Sequence, residues 1–319
     1  MKKKFVIAVD LGGTKVLTAL LTRDGKIINR LKNSVIPSKS KIVKTITSSI
    51  AQLLTEAKLK SSDIAAIALG VPGTVNPEKG IIAVAPNLKL INFNIGKELK
   101  KNLKLPILIE NDVNLAALGI KKFEYKDTLK NALVVFIGTG IGGALIFNKT
   151  LYRGSSFYAG EIGHMILNEN GSLTSKPGKM TLEKAASRPQ IVKRIKADIK
   201  NGSDSLLKDY FKQKKKIKSS ALAKAVKGKD KVAIRHITDA CRTIGTSLGS
   251  LTTLLNIDTI ILGGGVVEAM PDFITKNIKS AFDKAVLPEP GKLTKITATK
   301  LGDDAPLYGG LSLVEEFLN

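Results

Sequence analysis

Two glycine-rich turns of matching design stand where a phosphate could be held. The first lies in Phe5-Val-Ile-Ala-Val-Asp10-Leu-Gly12-Gly13-Thr14-Lys15-Val-Leu-Thr-Ala-Leu-Leu21, the second in Ala132-Leu-Val-Val-Phe-Ile137-Gly138-Thr139-Gly140-Ile-Gly142-Gly143-Ala-Leu-Ile-Phe147. In both, a strand-like apolar run stops at glycines beside a threonine, and a second such run follows at once. A turn of this kind leaves backbone N–H groups free to converge on an anion, and glycine permits positive φ and close ligand approach. One such turn alone is as readily a tight hairpin. Two of them, one opening each half of the chain, point to a phosphate clamp built by duplication.

Other phosphate chemistries are less well served. Gly138, Gly140 and Gly143 satisfy the dinucleotide pattern G-x-G-x-x-G, but that pattern requires a helix to open at the glycines. Here the apolar run Ala144-Leu-Ile-Phe147 continues to a turn at Asn148-Lys149, which fits a hairpin better. Neither turn has the Gly-Lys-Ser/Thr of a Walker A loop.

The elements that must position these turns follow from the apolar pattern. The first third reads strand, hairpin, strand, a helix over 41–59, and a strand over 64–69. That strand ends in Gly70-Val-Pro72-Gly73-Thr74-Val75-Asn76-Pro77, which reads as loop. A turn at Ala85-Pro86-Asn87-Leu88 precedes a helix over 95–102. A strand over 106–109 runs into Glu110-Asn111-Asp112, a helix follows over 113–122, and the second hairpin begins near Asn131. A loop-rich stretch over 152–180 precedes a lysine-rich helical region over 182–255. Asp258-Thr-Ile-Ile-Leu262-Gly263-Gly264-Gly265 reads as strand, glycine turn and helix, and a last helix covers 308–317. Strand clusters alternating with helices predict an α/β protein, and the repeated hairpin start predicts two related halves.

With 319 residues the chain can bury two cores, and 43% hydrophobic with 24% charged residues is ordinary for a soluble globular protein. The net charge of +24, from 51 basic and 27 acidic residues, is not ordinary. A basic surface attracts nucleic acid, anionic lipid or polyphosphate. Aromatics at only 5% and the lack of a nucleic-acid motif favour solvated lysine faces instead. Cys241 is the only cysteine, which excludes a disulfide framework and a thiolate-rich metal site. The basic N-terminus followed by an apolar run resembles the start of a signal peptide, but the run breaks at Asp10. No apolar run reaches membrane-spanning length, so a cytoplasmic protein with no membrane partner is expected.

Taken in order, the motifs resemble those of the repressor–open reading frame–kinase (ROK) family, within the actin/hexokinase-like ATPases. They are Asp10-Leu-Gly-Gly-Thr-Lys15, Gly70-Val-Pro-Gly73, Pro86-Asn87-Leu88, Glu110-Asn-Asp112 followed by Asn114-Leu-Ala-Ala-Leu-Gly119, Gly138-Thr-Gly-Ile-Gly-Gly143 and Gly160-Glu161-Ile-Gly163-His164. The resemblance spans essentially the whole chain. It implies a two-lobed actin-like ATPase (ribonuclease H-like) α/β fold with a central cleft. The small lobe would comprise 1–115 plus 303–319 and the large lobe 116–302, with hinges near Asn114 and Gly302.

The resemblance also implies roles. Asp112 would be the base that takes the proton from a sugar hydroxyl; taken alone, an Asn-Asp pair after a strand is as well explained by a helix cap. Asp10 would hold Mg²⁺, directly or through water, beside the β- and γ-phosphates. Gly12, Gly13 and Thr14 would form one phosphate turn and Gly138, Thr139 and Gly140 the other, with Lys15 either supporting phosphate or exposed on the hairpin. Gly263, Gly264 and Gly265 would serve the adenosine or α-phosphate side of ATP. A polyol needs amide and carboxylate partners, which Asn87, Asn111, Asp112, Glu161, His164 and Glu183 match, with Gly73 approaching through its backbone. His164 is alternatively a structural histidine, and His236 receives no role.

One departure from the family pattern is large. Many members bind zinc through the histidine of the Glu-x-Gly-His segment and three cysteines just before a Leu-Glu pair. Counting back from Leu182-Glu183, those positions hold Thr174, Lys176 and Thr181. Threonine and lysine cannot replace thiolates around tetrahedral zinc, so no zinc is expected.

The expected activity is ATP-dependent phosphorylation of a hexose, glucose at its 6-hydroxyl first. N-acetylmannosamine, N-acetylglucosamine, fructose and allose are the other sugars considered, and polyphosphate the other donor. The family also contains sugar-responsive repressors, which need a helix-turn-helix domain ahead of the first turn. With the first strand starting near residue 5, no nucleic-acid partner is expected. A non-catalytic sugar-binding protein is the third class. Homodimers or homotetramers are the expected assemblies.

Overall fold

The computed structural model describes residues 4–167 and 180–318. Its strands are β1 (Phe5–Leu11), β2 (Lys15–Thr22), β3 (Ile27–Ser34), β4 (Ile64–Val71), β5 (Thr74–Asn76), β6 (Ile81–Ala85), β7 (Leu90–Phe93), β8 (Ile107–Asn111), β9 (Ala132–Ile137), β10 (Ile141–Phe147), β11 (Thr150–Tyr152), β12 (Thr259–Gly263) and β13 (Lys295–Ala298). The chain divides into two compact units, one of residues 1–129, 149–159 and 303–319, the other of 130–148 and 160–302.

The first unit is built on a five-stranded sheet of order β3-β2-β1-β4-β8. The β1–β2 and β2–β3 pairs are antiparallel, whereas β1–β4 and β4–β8 are parallel. Strand β1 alternates its side chains between two apolar faces, as the period of two demands. Ile7, Val9 and Leu11 share a core with Ile42, Ile46 and Ile50 of the helix Lys39–Glu56. On the other face Val6 and Ala8 meet Leu307, Leu311 and Val314 of the helix Ala305–Leu318. That helix lies so close to the helix Asp112–Gly119 that a Cβ on Gly309 would fall 1.6 Å from the Leu115 carbonyl oxygen. One on Gly119 would fall 2.2 Å from the Ala305 oxygen.

The second unit repeats the opening device. Strands β9 and β10 form an antiparallel hairpin, and β9 then pairs parallel with β12, which pairs parallel with β13. Most of its core comes from helices, chiefly Lys231–Leu255 and Pro271–Phe282, which bury Ile237, Ile244, Ile274, Ile278 and Phe282. Asp230 caps the long helix by accepting from the Ala233 N–H at 3.0 Å, and Asn256 ends it in the left-handed region at φ 52°.

The segment read as loop after Gly70 contains β5, part of a small antiparallel sheet of order β5-β6-β7. Its short length and flanking Gly73 and Pro77 hid the strand, which is held by the burial of Val75 at 1% exposure. Strand β8 also runs further than expected and takes in Glu110 and Asn111.

Candidate functional site

In the first unit the candidate residues gather at the C-terminal ends of the parallel strands, where open α/β sheets place their ligands. Register sets Asp10 of β1 beside Gly70 of β4, and Gly70 beside Glu110 of β8. Asp10 and Glu110 are therefore two strand spacings apart, about 10 Å. Asp112 follows β8 immediately as the first residue of the helix Asp112–Gly119.

Capping of that helix falls to Asn111, whose Oδ1 accepts from the N–H groups of Val113 at 2.9 Å and Asn114 at 3.0 Å. The Asn111 Nδ2 donates to the Gly73 carbonyl at 2.9 Å. Asn111 thereby fixes both Gly73 and the start of the helix, and among the described residues one of its amide N–H groups has no partner. Asp112 is half-buried, and its Oδ1 also accepts from the Val113 N–H at 2.9 Å. Gly73 itself needs its positive φ of 88°, and a Cβ there would fall 2.2 Å from the Val84 oxygen. In the first glycine turn the Gly12 N–H donates to the Lys15 carbonyl at 2.8 Å. A Cβ on Gly13 would lie 3.1 Å from that of Asn87, so this turn and the exposed Asn87 are neighbours.

Burial pushes the Asp10 carboxyl up to about 6, with Asp303 adding to the rise and Lys15 opposing it. Lys15 donates to Asp303 Oδ2 at 2.9 Å, and Lys32 lies 3.7 Å from the same oxygen. Lys15 thus ties the hairpin to the segment that starts the last helix; Arg30 donates to Asp304 at 2.7 Å alongside.

Sequence reasoning gave Glu110 no role, yet it is the most deeply buried carboxylate here, at 2% exposure. Its Oε1 accepts from the Asn111 N–H at 2.9 Å and the Asn114 Nδ2 at 3.0 Å, and its Oε2 from the Arg153 Nε at 2.6 Å. A buried carboxylate needs such a set of partners. Through them Glu110 holds the backbone and side chains on both sides of Asp112. The signal was available in a charged residue closing an apolar strand, but the partner Arg153 lies 43 residues on.

In the second unit the turn at Gly138–Gly140 joins β9 to β10. A Cβ on Gly138 would meet nothing within 4 Å, so the fold itself does not require glycine there. At Gly140 it would fall 2.4 Å from Glu183 Oε2, which accepts from the Ile141 N–H at 2.9 Å. Glu183 therefore braces the second glycine turn with one oxygen, while its Oε1 takes no hydrogen bond among the described residues. Glu161 is near both Glu183 and His164. Burial raises its carboxyl above the usual range, His164 opposes that rise and the charge of Glu183 adds to it. His164 is exposed, its Nε2 3.8 Å from Glu161 Oε2. The turn bearing them is pinned to β10, since a Cβ on Gly163 would fall 2.0 Å from the Ile141 oxygen.

Gly263 ends β12 opposite Phe136, and Gly264 turns the chain at φ 84° against Ile137, so the third glycine segment adjoins the second glycine turn. Arg188, which sequence reasoning passed over, reaches that turn through hydrogen bonds to Gly138 and Thr139. His236 Nε2 lies 2.6 Å from Asp198 Oδ2, joining two helices in a structural contact. Thr181 caps the helix Leu182–Ala186 by accepting from the Lys184 N–H at 3.2 Å. Thr174 and Lys176 lie outside the described residues. Among the described residues no three His, Cys, Asp or Glu side chains are grouped to hold a metal, and no helix is long and apolar enough to cross a membrane.

The sequence profile of the ROK family matches residues 6–317. A glucokinase of Halalkalibacterium halodurans is 29% identical over 322 residues, covering 99% of this chain and 96% of that protein. A putative xylose repressor of Caldicellulosiruptor sp. is 25% identical over 313 residues, 97% of this chain and 77% of the repressor. Among solved structures, a ROK family glucokinase from Streptomyces griseus in complex with glucose and AMPPNP superposes with a TM-score of 0.83 at 25% identity, covering 98% of this chain and 99% of that one.

Proposed function

The chain belongs to the ROK family and has its mixed α/β actin-like ATPase fold, and from that premise we propose that it is an ATP-dependent hexose kinase with Asp112 as general base. Glucose, phosphorylated at its 6-hydroxyl, is the first substrate in this reading. The observation that carries it is the register of the first sheet. It sets Asp10 beside Gly70 and Gly70 beside Glu110, so that Asp10 and Asp112, the residue that follows β8, stand at the same ends of the parallel strands, with Gly73 bound by Asn111.

Phosphoryl transfer asks for positioned phosphates, charge neutralisation and an oriented hydroxyl. The Gly12–Thr14 turn offers backbone donors to phosphate. Asn87, the remaining Asn111 N–H and the Gly73 backbone hold sugar hydroxyls, and the Asp112 carboxylate accepts the proton of the attacking one. Asp10 is a hard oxygen donor suited to Mg²⁺, which when bound neutralises phosphate charge. In the second unit, Gly138–Gly140 and Gly263–Gly265 serve the nucleotide, and Glu161, His164 and the spare oxygen of Glu183 serve the sugar. No zinc is assigned, because the only cysteine is the buried Cys241, whose thiol burial pushes up to about 12. A cytoplasmic location follows from the substrates.

The test is a coupled assay of ADP release with MgATP and a panel of hexoses and N-acetylhexosamines. Turnover on glucose supports the reading in full, and turnover on another sugar reassigns the substrate. Sugar binding without ADP release from any of them would point to a regulatory protein, the alternative that the repressor likeness raises.

A further inference from the structure

Among the described residues Arg188 is held by neutral groups alone. Its N–H donates to the Gly138 carbonyl at 3.0 Å, which anchors the residue to the second glycine turn. Its guanidinium donates from Nη2 to Thr139 Oγ1 at 3.0 Å and from Nη1 to Ser219 Oγ at 3.4 Å. Ser219 in turn lies beside the third glycine segment, its Oγ 3.6 Å from where a Cβ on Gly265 would be. Among the described residues no carboxylate comes within ion-pair distance of Arg188. Glu183, which braces the same turn from the helix Leu182–Ala186, is instead bound to the Ile141 N–H.

A half-buried guanidinium whose side-chain partners among the described residues are two hydroxyls has no carboxylate beside it and keeps several of its five N–H donors for a ligand. The bond to Thr139 has a second consequence. A hydroxyl has one proton to give, and with an acceptor position of Thr139 filled by a cation, that proton is directed to another acceptor. The Gly138 N–H is bonded to the Gly140 carbonyl and that of Ile141 to Glu183, so the turn presents the N–H groups of Thr139 and Gly140, an O–H and a guanidinium, with open space over Gly138. All of these suit an anion.

We infer that Arg188 is a phosphate-binding residue for the nucleotide, contacting its α- and β-phosphates from a position between the Gly138–Gly140 turn and Gly265. The inference rests on the kinase reading above, which gives the turn to phosphates and the third segment to the adenosine side. It predicts that donor binding depends on Arg188 while sugar binding does not.

The experiment is calorimetric titration of MgADP, and separately of glucose, into wild type, Arg188→Gln and Arg188→Lys, with melting temperatures recorded. Loss of a charge-assisted bond should raise the dissociation constant for MgADP by about 10–100-fold in Arg188→Gln. Arg188→Lys, which keeps the charge without the fork, should recover part of it, and glucose affinity should stay within about twofold. Wild-type MgADP affinity in a folded Arg188→Gln protein would overturn the inference. Should that variant not fold, Arg188→Lys decides: weaker binding supports the inference and equal binding overturns it. If wild type itself binds no MgADP, the nucleotide reading falls, and this inference with it.

Discussion

Asp10 and Glu110 show how differently one unit treats two carboxylates on the strands that flank β4. Glu110 is buried with three donors, so its charge is compensated. Removing that charge in Glu110→Gln leaves Arg153 without its buried partner, and we expect a loss of about 3 kcal/mol of stability. Because the same carboxylate holds Asn111 and Asn114 around Asp112, kcat should fall as well, while a variant distant from Asp112 with equal destabilisation keeps it. Asp10 is burdened instead of supported, with its carboxyl at about 6. A carboxyl raised in the fold favours the protonated form, so its contribution to stability is full below the ordinary value of 3.8 and is lost as pH rises through about 6. Asp10→Asn should therefore melt higher than wild type at pH 8 without Mg²⁺, by on the order of 2 kcal/mol of stability, with the gap closing below about pH 4. The same variant should lose most of its turnover. In the wild type, protonation of Asp10 should weaken Mg²⁺ binding as pH falls through 6. A melting temperature unchanged by Asp10→Asn at pH 8 would contradict the burial account.

The glycine turns separate what the fold needs from what a ligand needs. A Cβ on Gly309 would fall 1.6 Å from the Leu115 carbonyl, a backbone atom in a packed helix pair. Gly309→Ala should cost about 3 kcal/mol or more, read by denaturant titration. Gly138 has open space instead. Gly138→Ala should leave the melting temperature within a degree or two, yet weaken MgADP binding if the turn approaches phosphate closely. The turns and the strands flanking them were legible in the sequence because long apolar runs stop abruptly at glycines. The helix Ala305–Leu318 and the long α-helical region were legible in kind, though not in their ends. What was not legible depended on packing between distant segments. Glu183 as a brace for Gly140, Arg188 on Thr139, and Arg153 on Glu110 leave no spacing to read. The short strands β5, β6 and β7 escaped because three to five residues carry too little periodicity to stand out from turn residues.

At the scale of the molecule the two units share one arrangement, for each opens on an antiparallel hairpin whose first strand also pairs parallel with a later strand of the same sheet. The excess of 24 positive charges acts on the whole chain as self-repulsion. Raising ionic strength to about 0.15 M shortens the Debye length to about 8 Å, and the melting temperature should rise with it; a fall would show that attractive ion pairs dominate. The central claim is that Asp112 takes the proton from a sugar hydroxyl as phosphate is transferred. The measurement that tests it most directly compares steady-state ADP release by wild type and Asp112→Asn on the same sugar, with sugar affinity measured in parallel. A general base at Asp112 predicts sugar binding within a few-fold and a kcat lower by about 10²–10⁴ in the variant. Equal turnover by the two proteins would contradict it.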